Sequence, residues 1–210
     1  MADFVKFGDF QLDVLREVGN IGAGHAATAL SKLIRKEVDM KVPQVKIISF
    51  DQIADFVGGA EEVVVTIFLR VEGDAPGNMF FIVNFDSARN LLKELMGIEK
   101  ADDDDIFSEM ELSALQEIGN ILAGSYLSSL ADFTKLNLQP SVPALAIDMA
   151  AAILSYGLIE LGRAGDFALT IDTAFFEGNE EVEGHFFLIP DPDSFKILFS
   201  ALGVPLDGNY

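Results

Sequence analysis

A stretch of eight residues occurs twice in this chain of 210 residues, and that recurrence limits the possible folds more than any single element does. Glu17-Val-Gly-Asn20-Ile-Gly-Ala-Gly24 returns one hundred positions later as Glu117-Ile-Gly-Asn120-Ile-Leu-Ala-Gly124. The register holds on both sides. Leu12, Leu15 and Leu30 match Leu112, Leu115 and Leu130, and Val42-Pro43 returns as Val142-Pro143. A repeated core needs only apolar residues of similar size at such positions. Keeping the same polar residues points to a surface used twice.

Periodicity fills in the units. Leu12, Leu15, Ala26, Leu30 and Leu33 recur at helical spacings, predicting a long helix from Phe10 to Arg35 with Asp9 as its cap. Val45 to Phe50 reads as a strand, and the stretch to Gly59 as a short helix or loop. Glu62 to Glu72 and Asn78 to Asn84 read as a hairpin closed by Gly73-Asp-Ala-Pro76-Gly77. Asp86-Ser87 is expected to cap a helix that runs to Met96 and stops at Gly97. The acidic run Asp102 to Asp105 reads as a solvated junction. Ser108 and Glu111 have capping-box spacing and open a second long helix to about Phe133. Leu145 to Leu161 reads as a helix without a counterpart in the first half. Phe167 to Glu177 and Glu181 to Ile189 form another hairpin, and Asp193-Ser194 caps a final helix ending at Gly203.

Neither half has enough sheet to cover its own long helix. The expected fold is therefore α/β (α+β). It is a single pseudo-two-fold symmetric domain over 1–210, made of repeats at about 1–100 and 101–210. Two long motif-bearing helices pack on a largely antiparallel sheet. No Gly/Ser linker divides the halves.

Composition narrows the function. A formal charge of −20 disfavours nucleic acid or an anionic membrane as partner. With no Cys there is no disulfide or thiolate metal site, which fits a reducing, cytoplasmic setting. His25 and His185 are too few for a His-based metal centre, and neither recurs. No segment has the length or pattern of a membrane span or signal peptide.

On a helix, residues three or four apart share a face, so Asp13, Glu17 and Asn20 point the same way. Ser113, Glu117 and Asn120 do so in the second copy. A carboxylate and a carboxamide one turn apart can engage a cation and hold a water. A lone Glu-x-x-Asn is usually a solvated helix face, but here the pair recurs in register among poor helix formers. Gly19, Gly22 and Gly24 together cost about 2–3 kcal/mol of helix propensity relative to Ala. They are expected to let another protein approach closely, although Gly24 and Gly124 could instead face inward for packing. Gly19 to Gly24 has P-loop spacing, but His25-Ala26 stands where Lys-Ser/Thr is needed. A dinucleotide fingerprint fails because no strand precedes the glycines. No Ser sits in a nucleophile-elbow setting.

The pattern Asp/Ser-x-x-x-Glu-x-x-Asn, followed after twenty-two residues by Pro, resembles the signature of the CheC/CheX/FliY chemotaxis phosphatases. The chain carries it twice: Asp13, Glu17, Asn20 and Pro43, then Ser113, Glu117, Asn120 and Pro143. The resemblance implies hydrolysis of the aspartyl phosphate of the response regulator CheY. Asn20 or Asn120 would orient the attacking water, and Glu17 or Glu117 would pair with the regulator's lysine. The Mg²⁺ would be the regulator's own, so the enzyme needs no cofactor. The resemblance also implies binding of the receptor deamidase CheD. The helix read after Pro143, which has no counterpart in the first half, is the expected surface for it, with Asp148, Met149, Ile153 and Leu154 as candidate contacts and core packing as the alternative for the apolar ones. The competing reading is a module that sequesters either partner without turnover. An internal two-fold suggests a monomer.

Overall fold

The computed structural model describes residues 9–97, 107–161, 167–177 and 180–203. The acidic run Asp102–Asp105 lies outside them. One order of elements occurs twice. The first copy has α1 (Asp9–Ile34), β1 (Asp39–Lys41), β2 (Val45–Ser49), α2 (Ile53–Phe56), the hairpin β3 (Val63–Gly73) and β4 (Gly77–Asn84), and α3 (Phe85–Met96). The second has α4 (Glu109–Thr134), β5 (Leu138–Pro140), β6 (Ala144–Met149), α5 (Ala150–Leu161), the hairpin β7 (Phe167–Glu177) and β8 (Glu180–Pro190), and α6 (Pro192–Ala201). Even the exits of the long helices correspond. Arg35 and Lys135 take φ values of 58° and 59°, the left-handed conformation that commonly ends a helix.

The strands form one eight-stranded sheet ordered β1-β7-β8-β4-β3-β5, with β2 also on β7 and β6 also on β3. Every pairing is antiparallel. The hairpins meet along β4 and β8, where Phe80 stands opposite Phe187. The short strands are exchanged between halves. First-half β1 and β2 pair with β7, whereas second-half β5 and β6 pair with β3. Each half therefore completes the other's hairpin.

Alternation along the strands divides the apolar side chains between two cores. Phe81 and Phe186 face the core shared with α1, α3, α4 and α6. Their neighbours Phe80 and Phe187 face a smaller core under α2 and α5. Both faces of the central strands are thus covered, which explains why β4 is buried from Gly77 to Val83. Leu15, Val18, Ala26 and Leu30 turn α1 toward the larger core. Leu33 does not join that stripe; it is exposed, as is its counterpart Phe133.

Three expectations are corrected. Leu145 to Leu161 is not one helix: Ala144–Met149 is strand β6, and only Ala150–Leu161 is helical. Ladder bonds to β3 from Val63 to Phe68 outweigh the helical propensity of this Ala- and Leu-rich run. β6 and α5 consequently do have counterparts, β2 and α2. The cap of α3 is Asn84, whose side-chain carbonyl accepts the Ser87 N–H at 2.7 Å. At α6 the cap is Asp191, with Pro192 in the first turn.

Candidate active sites

The two Glu–Asn pairs lie on the solvent side of the two long helices. Asp13 and Glu17 are exposed and Asn20 is half-buried on α1; Ser113, Glu117 and Asn120 are exposed on α4. Asp13 pairs with Arg16 at 3.0 Å on the surface.

The spacing from Asn to Pro has a geometric cause. From Asn20 to the end of α1 is fourteen helical steps, about 21 Å at 1.5 Å each. The chain then turns at Arg35, and seven extended steps of about 3.3 Å bring it back over about 23 Å to Val42. There the Val42 N–H donates to Asn20 Oδ1 at 3.0 Å. Pro43 follows, with no N–H of its own to offer.

The second copy closes differently. Gln116 Nε2 donates to the Pro143 carbonyl at 3.0 Å, a bond that Arg16, paired with Asp13, does not reproduce. Val142 is 87% exposed, and no bond from it reaches Asn120 among the described residues. One carboxamide is held against its loop, and the other projects freely. Sequence reasoning missed Val42 and Gln116, although the recurrence of Val-Pro was the available signal.

The glycines divide in a way opposite to one expectation. Gly19 and Gly119 face the sheet: a Cβ at Gly119 would stand 2.6 Å from Ile67 Cγ1, and one at Gly19 would stand 3.4 Å from Val42. At Gly22 a Cβ would meet Tyr126 Cα at 3.1 Å, so that glycine seats α1 against α4. Gly22 and Gly119 serve close packing, whereas a Cβ at Gly19 would reach only ordinary contact distance. Gly24 and Gly124, for which inward packing was the alternative reading, would place a Cβ within 4 Å of nothing.

Buried polar contacts set the helices in place. Tyr126 on α4 meets Thr173 Oγ1 on β7 at 3.0 Å. Burial pushes the Tyr126 pKa up to about 12, with the Thr173 bond opposing that rise, so the phenol stays neutral. At the start of α4, Glu111 accepts from the Ser108 N–H at 2.7 Å and from Arg89 Nη1 at 3.0 Å. Arg89 lies over Phe107 and Phe85, tying α3 to the second motif helix. Burial raises the Glu111 pKa, but the Ser108 hydrogen bonds and the Arg89 charge together hold it below the ordinary range.

Among the described residues no group of three or more His, Asp or Glu could hold a metal. His185 Nδ1 is 3.0 Å from Asp172 and His25 Nδ1 is 3.4 Å from Ser129, so the two histidines serve separate contacts. No described helix is long and apolar enough to cross a membrane. Of the four residues expected at a second partner surface, Asp148 and Met149 are exposed. Ile153 and Leu154 pack toward the smaller core, with Leu154 only 6% exposed.

Two outward Glu–Asn pairs thus stand on matched helices, each near a returning Val-Pro segment. The chain belongs to the CheC-like family, whose model matches residues 10–47 and again 110–147. It is 49% identical over 209 residues to the CheY-P phosphatase CheC of Bacillus subtilis, spanning 98% of this chain and all of that one. It is also 30% identical to the flagellar motor switch phosphatase FliY of B. subtilis, over 66% of this chain and 36% of that protein. The fold is similar to that of Thermotoga maritima FliY, with TM-score 0.72, 19% identity and coverage of 94% of this chain and 98% of that one.

Proposed function

We propose that this protein hydrolyses the aspartyl phosphate of the response regulator CheY, with two active sites centred on Glu17–Asn20 and Glu117–Asn120. The observation that carries the reading is that both pairs face outward from corresponding positions of the two long helices. Similarity to the B. subtilis phosphatase supports the choice of substrate.

An outward carboxylate and carboxamide on an open helix face are suited to completing another protein's active site. Glu17 or Glu117 pairs with a lysine beside the acyl phosphate and fixes the approach of the helix. Asn20 or Asn120 then donates to and accepts from one water and aims it in line with the phosphorus. The P–O bond to water forms as the P–O bond to the aspartate breaks, giving inorganic phosphate and the free carboxylate. The regulator's own Mg²⁺ neutralises the developing charge, so this chain needs no cofactor. An oriented water contributes about two to three orders of magnitude.

The Glu pairs give a direct test. Glu17→Lys with Glu117→Lys should abolish binding to beryllofluoride-activated CheY, measured by titration calorimetry, while the unfolding midpoint stays in place. Unchanged affinity in that double variant would overturn the docking role.

The same reading includes a second partner, the receptor deamidase CheD. The exposed surface of β6 is the part suited to it. Met149 is exposed beside its cross-strand neighbour Val63, and Asp148, also exposed, carries a charge on the other side of the strand end. Asp148→Lys should remove CheD from a pull-down and leave phosphatase activity intact. Retained CheD binding would exclude this surface.

A further inference from the structure

Three ordinary reasons account for glycine inside a protein: a positive φ, close packing, or the end of a helix. None applies to Gly24 or Gly124. Neither has a positive φ, both lie well inside 26-residue helices, and an added Cβ at either would meet nothing within 4 Å. Thr28 Oγ1 donates to the Gly24 carbonyl at 2.9 Å, but an alanine would offer the same carbonyl. A mid-helix glycine of this kind, exposed at Gly24 and half-buried at Gly124, weakens its helix relative to alanine, and no packing against the missing side chain offsets the loss. Yet the residue stands at the same place in both copies.

That place is next to the reacting groups. At 100° per residue, Asp13, Glu17, Asn20 and Gly24 fall within about 60° of arc on α1. Ser113, Glu117, Asn120 and Gly124 fall likewise on α4. The glycine lies one turn past the Asn, on the face that a docked partner must cover.

We infer that Gly24 and Gly124 are clearance residues, leaving room for the main chain of the phosphorylated regulator to settle one turn beyond the Asn. The inference rests on the phosphatase reading above and adds a determinant of docking to it. Without a Cβ, the partner backbone approaches the helix more closely, and Asn20 or Asn120 penetrates far enough to reach the water. Gly19, Gly22 and Gly119 have no such role, because they are buried against this chain's own Val42, Tyr126 and Ile67.

The test uses the full chain with Gly24→Ala/Gly124→Ala and, for a larger intrusion, Gly24→Leu/Gly124→Leu. KM and kcat would be measured on phosphorylated B. subtilis CheY, together with the unfolding midpoint of each variant. The double Ala variant should raise KM by about ten-fold, and the double Leu variant by more, with kcat lowered as well because the Asn no longer reaches the water. The unfolding midpoint should stay level or rise in the Ala variant, because a better helix former enters empty space. An unchanged KM in the Leu variant would overturn the inference, as would a lowered midpoint in the Ala variant, which would assign the glycines to this chain's own fold. Failure of the unmodified protein to accelerate phosphate loss would instead remove the phosphatase reading, and this inference with it.

Discussion

At the scale of the residue, the two carboxamides are chemically identical and differently held. Asn20 Oδ1 already accepts the Val42 N–H, whereas Asn120 is exposed without that bond. To project into a partner, Asn20 gives up a hydrogen bond of about 0.5–1.5 kcal/mol, equivalent to a few-fold to about ten-fold in rate. Asn120→Ala should therefore remove a larger share of phosphatase activity than Asn20→Ala. Steady-state assays of the two single variants check this, and equal losses would mean that the Val42 bond does not restrain the first site. The packing glycines make a separate prediction. Gly119→Ala forces a methyl group onto Ile67 and should destabilise by about 1–3 kcal/mol in urea unfolding, with no such loss for Gly124→Ala.

The residue scale also indicates what the sequence could reveal. Glu17, Asn20 and their duplicates were legible because helical periodicity alone sets which side chains share a face. The direction of the glycines was not legible. Gly19 and Gly24 look alike as letters, and only the position of the sheet and of Tyr126 separates a packed glycine from an open one.

At the scale of the element, α4 is held at its start by one cluster. Ser108, Glu111 and Arg89 form a capping box extended by an ion pair whose side chains are 13% and 11% exposed. Glu111→Gln should weaken the fold by about 2–3 kcal/mol near neutral pH. Because the Glu111 pKa is depressed on folding, its contribution is fully present above the ordinary glutamate range. It is lost as pH falls through the lower, folded value. Chemical unfolding of the parent and the variant should therefore give stabilities that converge on acidification. A constant difference down to strongly acidic pH would contradict this assignment.

Elements differed in how clearly the sequence announced them. The long helices and both hairpins followed from apolar periodicity and from turn residues such as Asp74 and Pro76. Strand β6 did not. Ala144 to Leu161 is largely apolar, broken by Asp148, Ser155 and Glu160, and such a run carries neither period clearly. What makes its first six residues a strand is the edge of β3 lying alongside, information held some eighty residues earlier in the chain. Strands β1 and β5, three residues each, are too short for any alternation to register.

For the whole molecule, the exchange of outer strands is the fact with the largest consequence. β3 lacks β5 and β6 without the second half, and β7 lacks β1 and β2 without the first. Helices α1 and α4 also meet directly through Gly22 and Tyr126. Residues 1–100 expressed alone should therefore give no cooperative monomeric unfolding transition by circular dichroism, while co-expressed halves should purify together. A monomeric first half with its own sharp transition would contradict the exchanged sheet as the basis of stability. The same arrangement puts a Glu–Asn pair on each of two helices that share one core.

The most direct test of the central claim is the decay of the CheY acyl phosphate in the presence of Mg²⁺ and sub-stoichiometric amounts of this protein. The intact chain would be compared with Asn20→Ala/Asn120→Ala. The intact chain should speed decay catalytically. The double variant should lose that acceleration by about two to three orders of magnitude while still binding beryllofluoride-activated CheY. Decay at the same accelerated rate in the double variant would contradict water positioning by the two asparagines.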